Sequence, residues 1–329
     1  MKEAKMAQDL VFIDGERVHR LLDYPACIAA MEAAMRALSG GATRQLPRTM
    51  IHMGEGRTFA QMTASLADDG MFGAKLISVF ADPARPGQRS HRGVITLFEP
   101  AQGHPVAVVD AEAVTHIRTA AATAVATRAL ARVDARVLLI MGTGGQAHTH
   151  LAALPLVHRF ERILIWGRDP ARAAAVVQQW QDRLPVAVAP DAQAAVAQAD
   201  VICTVSGAAQ PILLGQWVRP GTHVNLVGSS APGPVEADTA LVAAARYIAD
   251  SKANAREAAA EFLVARAAGV VNDAHIVAEI GEVLLGQVPG RRDARDITLY
   301  KSLGHAVQDI AAAQLLLERV RAGGESQSS

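Results

Sequence analysis

Residues 137–147 read VLLIMGTGGQA: an apolar run breaks at Gly142, and Gly144 and Ala147 follow at G-x-G-x-x-A spacing. Each position has a physical task in a dinucleotide-binding turn. The first glycine makes the tight turn, the second lets the backbone approach a pyrophosphate, and the small third residue lets the next helix pack close on the strand. Amides at that helix N-terminus then face negative charge. A bare match of this kind is weak, and its weight comes from context. Strand candidates recur at Val137–Met141, Arg162–Trp166, Val186–Ala189, Val201–Thr204, Thr222–Val227 and Tyr247–Ala249, with helical segments between most of them. That alternation predicts an α/β fold with a doubly wound parallel sheet of Rossmann type.

The strand ILIW ends in Gly167-Arg168-Asp169-Pro170. An NAD site usually places an acid there for the ribose hydroxyls, whereas an NADP site places a cation for the 2′-phosphate. Gly167 stands at the acid position with Arg168 next, which favours NADP(H) over NAD(H). A solvated Arg168, or Asp169 swinging back as the acid, is the competing reading.

Upstream the chain changes character. After a short strand around Leu10–Ile13, YPACIAAMEAAMRALSGG predicts a helix, with Pro25 in its first turn and Ile28, Met31 and Met35 as its apolar stripe. RTMIHM, RTFAQMTAS, GAKLISVF, GVITLFE and PVAVVD then read as antiparallel strands between glycine- and proline-rich turns. An Ala-rich helix, AEAVTHIRTAAATAVATRALAR, leads into the alternating region. A final helix is expected around Ile297–Arg321.

Composition narrows the function. Lys+Arg and Asp+Glu balance at 32 each and aromatics are 4%, which disfavours nucleic acid and anionic membranes and suits a small substrate. Cys27 and Cys203 are far apart without metal spacing, as in a reducing, cytoplasmic setting. The N-terminus lacks the apolar core of a signal peptide, and no apolar run is long enough to span a membrane. His148 and His150 diverge on a helix, so no metal site is expected. Ser229-Ser230 lacks a nucleophile elbow.

Two charges sit where charges are costly. Lys75 shares its strand face with Gly73, Ile77 and Val79, so it lies at a solvated edge or points into a cleft, where its pKa would fall and it could exchange protons. Arg118 interrupts a helical stripe of Val114, Ala121 and Val125, and a guanidinium among small residues can hold a carboxylate by a bidentate pair. Arg48, after Pro47, is a weaker third candidate.

These pieces together resemble the ornithine cyclodeaminase/μ-crystallin family. The resemblance is carried by LPR at 46–48, GAKLISV at 73–79, THIRTAAATAVATRALAR at 115–132, GTGGQA at 142–147, ADVICTVSG at 199–207, PGTHVNLVGS at 220–229 and DITLYKSLGHAVQD at 296–309. It implies an N-terminal α+β substrate-binding and dimerisation domain, residues 1–118 joined by a C-terminal helix at 297–329. Residues 119–296 would be the Rossmann domain, and the protein a homodimer. By position, Arg48, Lys75 and Arg118 match the family's substrate contacts. Gly145 and Gln146 match the pyrophosphate loop, Thr204 with Val227, Gly228 and Ser229 the ribose and nicotinamide side, and Ser90 and Ser302 further nicotinamide contacts.

Family members exchange hydride at a carbon between a nitrogen and a carboxylate. The cyclodeaminase pattern carries an acid after VGG, but here VGSSAPGP puts Ser230 there and Pro234 at the pattern's lysine. A hydroxyl is no general base near neutral pH without activation. The expectation is therefore an NAD(P)H-dependent reductase of small cyclic imine carboxylates, with Lys75 protonating the nitrogen or only stabilising the bound acid. Alternatives are an ornithine cyclodeaminase using Glu236 or Asp238 as a relocated base, an alanine- or opine-type dehydrogenase, and a non-catalytic NADP-binding protein.

Overall fold

The computed structural model describes residues 10–81 and 89–325, with side chains for 10–80 and 92–323. The chain divides into two compact units: one takes the chain up to Arg118 and again from His305, and the other runs from Thr119 to Gly304. Among the described residues no helix is long and apolar enough to cross a membrane.

The first unit opens with β1 (Val11–Ile13), α1 (Gly15–Leu21) and α2 (Tyr24–Ser39). Asp14 and Asp23 start the two helices by accepting from the Arg17 and Ala26 amides, which satisfies donors that the first helical turn leaves open. Cys27, Ile28, Met31 and Met35 form the buried stripe of α2. Then come β2 (Arg44–Gln45), β3 (Thr49–His52), β4 (Thr58–Ser65), β5 (Phe72–Ala81), β6 (Arg89–Phe98) and β7 (Pro105–Asp110). They form a seven-stranded sheet of order β1-β7-β6-β5-β4-β2, with β3 also paired to β4. All neighbours are antiparallel except β1, which lies parallel to β7. The period of two shows in β4, where Thr58, Ala60, Met62 and Ala64 are buried. From β7 the chain enters α3 (Ala111–Leu130), whose small Ala and Thr side chains are buried on nearly every side.

The second unit runs β8 (Val137–Met141), α4 (Gly145–Ala153), β9 (Arg162–Trp166), α5 (Pro170–Trp180), β10 (Val186–Val188), α6 (Ala192–Val196), β11 (Val201–Thr204), β12 (His223–Leu226), α7 (Thr239–Ala244), β13 (Arg246–Ala249), α8 (Lys252–Ala258), α9 (Ala260–Ala267), β14 (Ile276–Glu279), α10 (Ile280–Leu284) and β15 (Thr298–Lys301). The sheet has eight strands in the order β10-β9-β8-β11-β12-β15-β13-β14, and every pair is parallel. The chain winds outward from β8 through β9 to β10, then returns to β8's other side with β11. The crevice between β8 and β11 is thus the topological switch point, where open α/β sheets bind their ligands.

After β15 the chain rejoins the first unit as α11 (Ala306–Glu325), which packs on α2 and on one face of β4, β5 and β6. This corrects the expected helix at Ile297–Arg321: Thr298–Lys301 is a buried strand between β12 and β13, and the helix begins only at Ala306. The β-forming Thr298, Leu299 and Tyr300 decide the strand. The short β14 was also not expected from the sequence.

Candidate active site

In the first unit the cations converge on one acid. Lys75 lies mid-strand in β5, between Met62 of β4 and Ile95 of β6, and is 3% exposed. Its ammonium donates to Thr115 Oγ1 at 2.6 Å and to Asp309 Oδ1 at 3.2 Å. Thr115 spends its own proton on the Ala111 carbonyl, 2.6 Å away, so its oxygen is left to accept. Arg118, 5% exposed on α3, donates from Nε to the same Asp309 Oδ1 at 2.8 Å and from Nη1 to Gln308 Oε1 at 3.2 Å.

The electrostatics follow from this crowding. Burial pushes the Lys75 pKa down to about 8; Arg118 and Arg48 push the same way, and Asp309 opposes them. Burial pushes Asp309 up, but Arg118 and Lys75 outweigh it and hold the carboxyl below the usual range. One carboxylate faces three cations, so the cluster has positive charge to spare for an anion. The structure brings Lys75 and Arg118 together through Asp309, and Arg48, half-buried ahead of β3, acts on Lys75 through its charge. Thr115, Gln308 and Asp309 were missed by the sequence reading.

In the second unit the glycine loop sits at the switch point. Gly142 has φ +144°, and a side chain there would meet the Val205 carbonyl that follows β11, at 2.7 Å from its Cβ. Gly144 caps α4 without a side-chain hydrogen bond, and a Cβ there would meet nothing within 4 Å. The loop therefore presents the amides of Gly145 and Gln146 beside open space, while Ala147 is fully buried under them. That arrangement fits a dinucleotide phosphate group.

At the end of β9, an acid at Gly167 would crowd Thr143, since a Cβ would lie 2.7 Å from Thr143 Cγ2 and that methyl would have to shift. Asp169 caps α5 by accepting from the Ala171 amide at 2.9 Å, and Arg168 is exposed. Thr204 ends β11, Val227 and Gly228 follow β12, and Ser302 follows β15, so these residues gather at the carboxyl ends of adjacent strands. Ser229, nearly buried, turns its hydroxyl to the Ala231 carbonyl. Ser90 lies on β6, and its side chain is outside the described residues.

Glu236, a candidate relocated base, is fully buried. Its Oε1 accepts from the Ser206 amide (2.7 Å) and hydroxyl (2.8 Å), and its Oε2 from Thr204 Oγ1 (2.8 Å) and the Gly228 amide (2.7 Å). Asp238 caps α7 and also accepts from the Gly215 amide. Both acids are structural ties between loops. His150 is likewise occupied: it contacts Thr123 Oγ1 and the Gln146 carbonyl, and burial lowers its pKa to about 4.

Comparison with known proteins bears on both units. The family model for the ornithine cyclodeaminase/mu-crystallin family matches residues 9–324. Ketimine reductase mu-crystallin of Mus musculus is 33% identical over 317 residues, covering 95% of this chain and 98% of that protein. The structure of Thermococcus litoralis Δ1-pyrroline-2-carboxylate reductase in complex with NADH and L-proline superposes with a TM-score of 0.91 at 28% identity, covering 95% of this chain and 98% of that one. An archaeal alanine dehydrogenase dimer with bound NAD gives a TM-score of 0.90 at 29% identity, covering 96% and 97%.

Proposed function

The chain belongs to the ornithine cyclodeaminase/mu-crystallin family, and on that premise we propose that it reduces the C=N bond of a small cyclic imine 2-carboxylate, of the Δ1-pyrroline-2-carboxylate or Δ1-piperideine-2-carboxylate type. The observation that carries this reading is the buried set of Lys75 and Arg118 on a single carboxylate, with Arg48 beside it. Arg118 and Arg48 take the substrate carboxylate, and a guanidinium is the group best matched to it. Lys75 gives a proton from Nζ to the imine nitrogen and regains one from solvent. A lysine titrating near 8 is charged at neutral pH yet a stronger acid than a free one, which suits a proton donor. The nicotinamide cofactor, when bound, supplies the hydride that goes to the imine carbon. The product is a cyclic amino acid of the proline or pipecolate kind.

Further features of this chain refine the reading. The two acids that could replace the base missing at Ser230 are both consumed as ties, Glu236 by four donors and Asp238 as a helix cap, which disfavours a cyclodeaminase. NADP(H) is favoured over NAD(H) because Thr143 crowds the acid position at Gly167, Asp169 is engaged in capping, and exposed Arg168 can meet a 2′-phosphate. A second copy of the chain would cover the sheet face turned away from α11, where Leu46, Ile51 and Phe72 are exposed and Phe72 stacks on Phe98. Buried free thiols at Cys27 and Cys203 suit a reducing cytoplasm.

The test follows NADPH loss at the nicotinamide absorbance with Δ1-pyrroline-2-carboxylate and its six-membered homologue, alongside ornithine with NAD assayed for ammonia and proline. Fast NADPH loss with no ammonia is expected. Ammonia from ornithine would overturn the reductase reading. Silence with both cyclic imines and turnover of a keto acid plus an amine would move the reading to open-chain imines.

A further inference from the structure

We propose that Asp309 is the positioning residue of this site: its one oxygen, Oδ1, fixes the orientation and charge of both Lys75 and Arg118 before substrate arrives. The inference rests on the reading that Lys75 serves an imine nitrogen and Arg118 a carboxylate.

Oδ1 accepts from Lys75 Nζ and from Arg118 Nε, and Gln308, one residue earlier on α11, takes one Nη1 proton. These contacts decide what each cation can still offer. A guanidinium has five N–H donors and an ammonium three. With Nε turned to Asp309, Arg118 keeps only its outer Nη edge for a substrate carboxylate, so the clamp is end-on. With Thr115 and Asp309 holding two protons of Lys75, one proton remains for the imine nitrogen. Asp309 is fully buried, so it acts through the cations and not on substrate.

Charge gives the second consequence. The groups bearing on Lys75 are Asp309 on α11, Arg118 and Thr115 on α3, and Arg48 ahead of β3. Cys27 on α2 is coupled to Arg118, but burial pushes its thiol up to about 12 and keeps it neutral. Asp309 is the one negative group among them. Without it, a buried lysine beside two arginines would lose its proton near neutral pH, and its donor role with it.

Competitive carbamoylation tests this without turnover. Cyanate is small and reacts only with the neutral amine, so the pH midpoint of Lys75 labelling, read by mass spectrometry, reports its protonation in the intact protein. The wild-type midpoint is expected near the value of about 8 set by its surroundings. Asp309→Asn should lower it by about 1–3 pH units, with the alkaline limb of imine reduction moving alongside. Asp309→Glu, which keeps the charge but displaces the oxygen, should hold the midpoint while kcat falls. Gln308→Leu should hold the midpoint and raise KM for the imine. An unmoved midpoint in Asp309→Asn overturns the proposal, as does an equal shift in Asp309→Glu. Should Asp309→Asn fail to fold, a wild-type midpoint at about 5–6, where an unpaired buried lysine titrates, overturns it as well. Absent imine turnover with the expected labelling shifts would instead count against the substrate reading alone.

Discussion

Replacing Glu236 with Gln separates a structural tie from a catalytic base. Each oxygen of Glu236 accepts from one backbone amide: Oε1 from Ser206 and Oε2 from Gly228, both at 2.7 Å. An amide proton cannot be turned away, whereas the Ser206 and Thr204 hydroxyls can rotate to accept instead. Whichever oxygen becomes the NH2 of glutamine, one buried backbone N–H then faces another donor. An orphaned buried donor costs about 1–3 kcal/mol, and the remaining bonds lose the charge that roughly doubles their strength. The expected loss is about 2–4 kcal/mol.

Burial pushes the Glu236 pKa up, against Lys301 and its hydrogen-bond donors. The four donors on its two oxygens act against that burial and favour the ionised form. Thermal unfolding reads the result: at about 2–4 °C per kcal/mol for a unit of this size, the Glu236→Gln midpoint should fall by roughly 5–15 °C. A shift within about 2 °C would mean that the four-donor account is wrong. Unchanged stability with abolished ammonia release from ornithine would restore Glu236 as a base.

Lys75→Ala should lower imine reduction by about 10²–10⁴-fold, the span of general acid catalysis; survival within a few-fold refutes its role. In the wild type kcat/KM should decline as pH rises through about 8, because burial depresses the Lys75 pKa and the donor form exists only below it. Arg118→Lys keeps the charge but loses the planar fork, and KM for the imine should rise about 10–100-fold, the equivalent of one charged hydrogen-bonded contact. Arg168→Asp should move preference from NADPH towards NADH, and an unchanged ratio of kcat/KM values would leave Arg168 as a solvated loop residue. Gly167→Asp should not achieve this alone, since Thr143 crowds that position; paired with Thr143→Ala it should.

The glycine loop and the strands around it were legible because their signals are local. Apolar runs of β-type residues ending in glycine, as at Met141–Gly142, specify both an element and its end, and β8, β9 and β11 occupy the predicted residues. The strand β15 was misread for an equally local reason. Lys301 is a charge in a short segment joined to a long helical pattern, and only the Thr298–Tyr300 run spoke for a strand. It is buried between β12 and β13 because Glu261, from α9, meets Lys301 at 2.9 Å with both side chains fully buried. A segment's own residues cannot announce a partner that distant.

The same limit explains the site. Lys75 and Arg118 were conspicuous because each interrupts an apolar face, and a buried cation without a counter-charge is too costly to persist. Once the fold buries both, they need a buried acid somewhere in the chain. Asp309 carried the matching sign, since it interrupts a buried face of α11 that continues through Ala312, Ala313 and Leu316. Yet Glu236 and Glu261 are also fully buried. With separations of 234 residues to Lys75 and 191 to Arg118, periodicity could mark Asp309 as a buried charge but not say which cations it serves. The pairing is a property of topology: the crossing of α11 over β5 beside α3 places the acid under both cations, and a different order of the same elements would have matched them otherwise.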